Sequence, residues 1–126
     1  MNEKILIIDD NKDVWDLYLD LLKREGYTDI KCAADGFTGL EIARKWKPDL
    51  ILLDIAHPGP NGIEICKTLS SESETQKTKF IIITAYSIKD YIVEALLFKV
   101  SAYIEKPFDP REFMKTVKAV LESDKN

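Results

Sequence analysis

The chain has 126 residues, 45% hydrophobic and 32% charged, with a net charge of -4. That length holds one domain with one core, and that balance excludes a disordered chain or a membrane bundle. A mildly acidic chain has no general attraction for nucleic acid, so direct DNA or RNA binding is not expected. Met1 to Lys4 runs straight into an apolar pattern, so no secretory leader is expected. No apolar run approaches the length of a membrane span. Cys32 and Cys66 stand far apart, which suggests neither a disulfide framework nor a zinc site. Both read as core residues of a protein in the reducing cytoplasm.

The predicted elements alternate. Ile5 to Ile8 is a continuous apolar run, read as a strand buried on both faces, and it ends abruptly in Asp9-Asp10. Val14, Leu17, Tyr18, Leu21 and Leu22 then recur at helical spacing up to Gly26, a stop signal. A shorter strand is expected over Asp29 to Ala33. Asp35-Gly36 opens a second helix with Phe37, Leu40 and Ala43 on one face, and Pro48 lies beyond it. Leu50 to Leu53 is the second strong apolar run and ends in Asp54. After the Pro- and Gly-rich stretch His57 to Gly62, a third helix carries Ile63, Ile65, Cys66 and Leu69, and Ser70 to Lys79 reads as its frayed end plus a loop.

Phe80 to Ile83 is the third strong run and ends in Thr84. A helix is expected over Lys89 to Lys99, with Ser87 and Asp90 as a capping box. Ala102 to Ile104 forms a short last strand before Glu105-Lys106-Pro107. Asp109-Pro110 starts a final helix that runs to about Leu121. The domain is expected over residues 1–122, with 123–126 as a tail.

Strands alternating with helices imply crossover connections and a mostly parallel sheet with helices on both faces. In such sheets ligands bind at the carboxyl ends of the strands. That rule singles out Asp9-Asp10, Asp54, Thr84 and Lys106. Clustered carboxylates repel and raise a pKa, and a hard divalent cation relieves the repulsion. Magnesium takes one or two carboxylates together with waters and phosphate oxygens. The acidic cluster therefore reads as a magnesium site that awaits a phosphate. Phosphoryl transfer needs charge neutralisation and alignment. Lys106 supplies a positive charge, Thr84 a hydroxyl, and one carboxylate can be the nucleophile.

Asp9-Asp10, Asp54, Thr84-Ala85 and Lys106-Pro107-Phe108 resemble the signature of the response-regulator receiver domain, the phosphoacceptor module of two-component systems, over essentially the whole chain. The resemblance implies a flavodoxin-like (βα)5 three-layer sandwich with a parallel five-stranded sheet in the order 2-1-3-4-5. It implies Asp54 as the phosphorylated nucleophile. Mg2+ would be held by Asp10, Asp54 and the backbone carbonyl of Ala56, with Asp9 acting through a metal-bound water. Thr84 and Lys106 would bind phosphoryl oxygens, and Lys106-Pro107 would be cis.

Thr84 and Tyr103 would form the switch. They would act on a face built from the helix at 89–99, the last strand and the last helix, where a downstream protein binds. The donor would be a phosphohistidine on a sensor histidine kinase or histidine phosphotransfer protein. Thr84-Ala85-Tyr86 and the residues from Met1 to Ile7 are also similar to the stand-alone receiver of the sporulation phosphorelay.

The chain departs from the family pattern at His57 (usually Met), Asn61 (usually acidic) and Lys99-Val100 (often Gly-Ala), none of them catalytic positions. Ala56 and Tyr86 stand where residues tune phosphoryl lifetime. An apolar Ala56 and a bulky Tyr86 imply slow self-dephosphorylation. Two other readings of the same residues are a phosphate-independent interaction module and a magnesium-dependent phosphohydrolase with an aspartyl-phosphate intermediate. The second fits less well, because such enzymes carry Asp-x-Asp after the first strand, not adjacent aspartates.

Overall fold

The computed structural model describes residues 3–54, 62–72, 75, 77–84 and 100–123. Five strands, β1 (Lys4–Ile8), β2 (Asp29–Ala33), β3 (Leu50–Asp54), β4 (Lys79–Thr84) and β5 (Ala102–Glu105), form one sheet in the order β2-β1-β3-β4-β5. All four neighbouring pairs are parallel. The described helices are α1 (Lys12–Arg24), α2 (Gly36–Trp46), α3 (Gly62–Ser71) and α4 (Pro110–Glu122). The expected flavodoxin-like order is thus present. The helix expected over Lys89 to Lys99, with its capping box, lies outside the described residues.

Side chains alternate across a strand, and here both sets are buried, which is why the central strands are continuously apolar. Ile5 and Ile7, Leu50 and Leu52, and Ile81 and Ile83 face one layer, where α1 supplies Tyr18, Leu21 and Leu22 and α4 supplies Phe113, Val117 and Leu121. Leu6 and Ile8, Ile51 and Leu53, and Phe80 face the other, against Ala43 of α2 and Ile65 and Leu69 of α3. The sheet is thereby held between two helical layers.

The helix starts are chemically marked. Asn11, Asp35 and Asp109 are N-caps whose side chains accept from Asp13 N, Thr38 N and Arg111 N at 3.0, 2.8 and 2.7 Å. Pro110 occupies the first turn of α4. Gly26, after α1, has φ 90°, a conformation open to glycine at little cost.

Two helix faces differ from expectation. Phe37 is 68% exposed and Leu17 44% exposed. At 3.6 residues per turn each step rotates about 100°. Phe37 therefore stands a step round from Gly36, which with Gly39 and Ala43 forms the buried stripe of α2. That stripe is made of small residues because the helix comes close to the sheet: a Cβ on Gly39 would lie 2.4 Å from Ile8 Cδ1. Leu17 likewise stands a step round from buried Tyr18. Cys32, expected in the core, is half-buried because β2 is an edge strand with a mixed burial pattern. The side chains of Ile63 and Cys66 lie outside the described set.

Candidate functional site

The register of the sheet brings the singled-out residues to one edge. Ile8 pairs with Leu53 and Asp54 with Ile83, so Asp9 and Asp54 follow each other across the carboxyl end of β1 and β3. Thr84 closes β4 opposite Glu105, and Lys106 N donates to Thr84 O at 2.8 Å, which carries the ladder one residue past β5. The Lys106-Pro107 bond is cis, as the resemblance implied.

Lys106 reaches back over the sheet. Its Nζ lies 2.6 Å from Asp54 Oδ2 and 3.8 Å from Asp9 Oδ2. Asp9, Asp54 and Thr84 are all buried, whereas Asp10 is exposed. Asp9 is held on several sides. Its N–H donates to Ala33 O at 3.0 Å, its Oδ1 accepts from Asn11 N at 3.0 Å, and its carbonyl accepts from Trp15 Nε1 at 2.8 Å. Its Oδ2 is buried without a hydrogen-bond partner.

Burial pushes the Asp9 carboxyl above its ordinary value. The Asn11 N–H pulls it back, Asp54 raises it, Lys106 lowers it and Asp10 raises it. Among the described residues no three His, Cys, Asp or Glu side chains converge tightly enough to form a metal cage by themselves. Magnesium does not need such a cage, since it keeps several waters. A buried carboxylate oxygen with no donor, beside a second carboxylate, is the kind of group a hard cation satisfies. Asp9 and Asp54 therefore fit such an ion, while Ala56, whose carbonyl was expected to contribute, lies outside the described residues, as do His57 and Tyr86.

Beneath the site, Phe108, Tyr18 and Phe113 stack at 5.2 to 6.0 Å between ring centroids. They tie the segment after Lys106 to α1 and α4. Tyr103 is half-buried on β5, opposite Ile82. It lines a shallow depression with Ile104, Glu105, Phe108, Asp109 and Glu112. The Trp15 hydrogen bond was not legible in the sequence. A tryptophan one turn after an aspartate pair reads as a packing residue, and only the helix's angle to the strand puts its N–H on a carbonyl.

The match to known proteins decides the family. The family model described as "Response regulator receiver domain" matches residues 5–118. The chain belongs to the response-regulator receiver domain family. This receiver is 40% identical over 121 residues to the sporulation initiation phosphotransferase F of Bacillus subtilis (strain 168), covering 96% of this chain and 95% of that one. It is also 40% identical over 123 residues to the alkaline phosphatase synthesis transcriptional regulatory protein PhoP of the same organism, where 96% of this chain matches 49% of the longer relative. The solved structure of a CheY-like response regulator receiver domain protein from Methanospirillum hungatei JF-1 superposes with a TM-score of 0.90 at 29% identity, covering 99% of this chain and 98% of that one. The receiver is thus a phosphoacceptor signalling domain of the two-component and phosphorelay type, and the expected likeness to the sporulation receiver is borne out. No described helix is long and apolar enough to cross a membrane.

Proposed function

We propose that Asp54 takes the phosphoryl group, from a phosphohistidine on a sensor histidine kinase or a histidine phosphotransfer protein. The observation that carries this assignment is the Lys106 Nζ to Asp54 Oδ2 contact of 2.6 Å at the carboxyl end of a central strand. An Asp54 carboxylate oxygen forms the new bond to phosphorus. The bond from phosphorus to the donor imidazole nitrogen breaks, and its electron pair returns to the ring, which takes up a proton. Such a transfer depends on alignment and on offsetting charge at the phosphoryl oxygens. Lys106 leaves Asp54 to meet one of those oxygens, and the Thr84 hydroxyl meets another.

Mg2+ would be held by Asp10, Asp54 and the carbonyl of Ala56, with Asp9 acting through a water, and when bound it supplies charge neutralisation at the transferring group. Asp9 serves the site through its fixed carboxylate. The buried position of Thr84, on the strand next to Tyr103, supports the switch reading. When Thr84 follows the phosphoryl group, Tyr103 turns inward and the face built from the helix expected over 89–99, β5 and α4 changes its affinity for a downstream protein. The domain acts in the cytoplasm. It turns over no metabolite, and self-dephosphorylation is slow, with Tyr86 shielding the phosphoryl group.

Incubation with acetyl phosphate and Mg2+, followed by intact mass, tests the assignment. One phosphoryl group is expected on the wild type, and none on Asp54→Asn or without the metal. Uptake by Asp54→Asn at the wild-type level would move the site elsewhere. The decay of the adduct in wild type and Tyr86→Ala reads the shield: equal rates would rule it out.

A further inference from the structure

The peptide between Asp9 and Asp10 is fixed more firmly than the end of a strand requires. The β1–β2 ladder closes with Asp9 N donating to Ala33 O at 3.0 Å, the bond that goes with the Ile8–Ala33 pair. The Asp9 carbonyl accepts a hydrogen bond from Trp15 Nε1 at 2.8 Å, from the fourth residue of α1. Asp9 is buried, so the indole N–H serves its carbonyl where bulk water does not reach, and it does more than satisfy the backbone. What it adds is geometric. The carbonyl belongs to the peptide plane that joins the two acidic residues, and rotating that plane swings Asp10 relative to Asp9.

The donor itself is held. The Trp15 side chain is half-buried, packed against the core that α1 and α4 share, and the Lys12 ammonium lies 5.9 Å from its ring. With its N–H, carbonyl and Oδ1 all engaged, Asp9 has Oδ2 left without a hydrogen-bond partner, 3.8 Å from Lys106 Nζ.

We infer that Trp15 is a positioning residue of the acidic site: its indole N–H locks the Asp9–Asp10 peptide so that the carboxylates are preset for a divalent cation. The inference rests on the metal reading proposed above. Trp15 touches neither the cation nor the phosphoryl group and acts through the Asp9 backbone. Preset ligands bind more tightly because less order is lost on binding.

Trp15→Phe retains an aromatic ring for packing and loses the N–H. Calorimetric titration with Mg2+ is expected to give a dissociation constant about 3- to 10-fold weaker than wild type, the size of one hydrogen bond. The metal-free melting temperature should stay near wild type. A stable Trp15→Phe with a constant within about twofold of wild type would make Trp15 a packing residue only and overturn the inference.

The second measurement uses the unaltered protein. The Trp15 indole N–H resonance should exchange slowly with solvent and shift during the Mg2+ titration with the calorimetric constant. Trp46, at the other end of the sheet beside Lys4, should stay put. Fast exchange at Trp15, or no shift, would overturn the inference. If the wild type itself binds no Mg2+, the metal reading falls and the inference with it. Wild-type binding with an unaffected variant removes the inference alone.

Discussion

At the amino end of the sheet, charged and polar groups are matched. Lys4 N donates to Asp49 Oδ2 at 2.8 Å while Asp49 N returns a bond to Lys4 O at 2.8 Å. Lys79 Nζ donates to Val120 O at 2.8 Å and also meets Ser123 Oγ, closing the last turn of α4. The carboxyl end is left unbalanced. Two buried carboxylates, Asp9 and Asp54, share the Lys106 ammonium, and Asp9 Oδ2 has no hydrogen-bond partner. The two ends sit on the same strands and are equally close to the core. One spends its polar groups on stability. The other holds charge in reserve for a ligand, as functional sites do at the expense of the free fold.

Lys106→Met breaks this comparison hardest. It strips the positive charge from two buried carboxylates. The loss should be roughly 1–3 kcal/mol in a urea melt without metal, below the figure for a fully buried pair because the Lys106 side chain keeps 27% of its surface in solvent. Phosphoryl uptake should fall sharply in the same protein, and added Mg2+ should restore part of the stability. The contrasting variant is Asp49→Ala at the amino end, which removes the acceptor of Lys4 N. It should cost about 1 kcal/mol and leave the rate of phosphoryl uptake unchanged. If both variants lost stability and neither lost uptake, the ends would not differ in the way described.

Asp9→Asn sharpens the contrast by a change of opposite sign. The Asp9 carboxyl is raised in the folded state, chiefly by burial. A raised acid contributes stability that is fully present below its unfolded pKa and lost as pH rises through its folded value. At neutral pH its ionised form is therefore a cost to the metal-free fold. The amide should raise metal-free stability by about 1 kcal/mol, since Lys106 keeps Asp54 as its partner. The gain should shrink as pH falls into the carboxylate range, and Mg2+ binding should weaken. Melts at pH 7 and pH 4, with and without Mg2+, check both signs. A variant less stable than wild type at pH 7 without metal would mean that Asp9 is a net support of the fold.

The sheet and its acidic edge were legible because each depended on local sequence. Three apolar runs ended in Asp9, Asp54 and Thr84, and a parallel sheet brings such ends together whatever the helices do. The helix faces were less legible. The apolar pattern of α2 pointed to Phe37, but the helix turns Gly36, Gly39 and Ala43 inward because Ile8 leaves room for nothing larger than a hydrogen at Gly39. Smallness, not hydrophobicity, was the signal there. The Trp15 bond to Asp9 and the stack of Tyr18, Phe108 and Phe113 were not legible either. Both depend on the angle at which α1 crosses the sheet, which no single segment encodes.

Tyr18 offers the finest test. Its ring packs against both partners of the aromatic cluster, 5.4 Å from Phe113 and 6.0 Å from Phe108. Its hydroxyl is buried without a hydrogen-bond partner, and burial, with Asp9 and Asp54 nearby, pushes its ionisation upward. A buried hydroxyl that makes no bond costs its desolvation and returns nothing. Tyr18→Phe keeps the stack and deletes the hydroxyl, so stability should hold or rise by about 0.5 kcal/mol. Phosphoryl uptake should not change, because the ring and not the oxygen braces the segment that follows Lys106. A loss above about 1 kcal/mol would give the hydroxyl a bound water as partner. Because the hydroxyl lies within the field of Asp9 and Asp54, the reserve of unmet polar groups at the carboxyl end would then reach below the sheet edge into the aromatic layer, and the boundary between the stabilising and the functional parts of this fold would have to be drawn deeper than the strand ends.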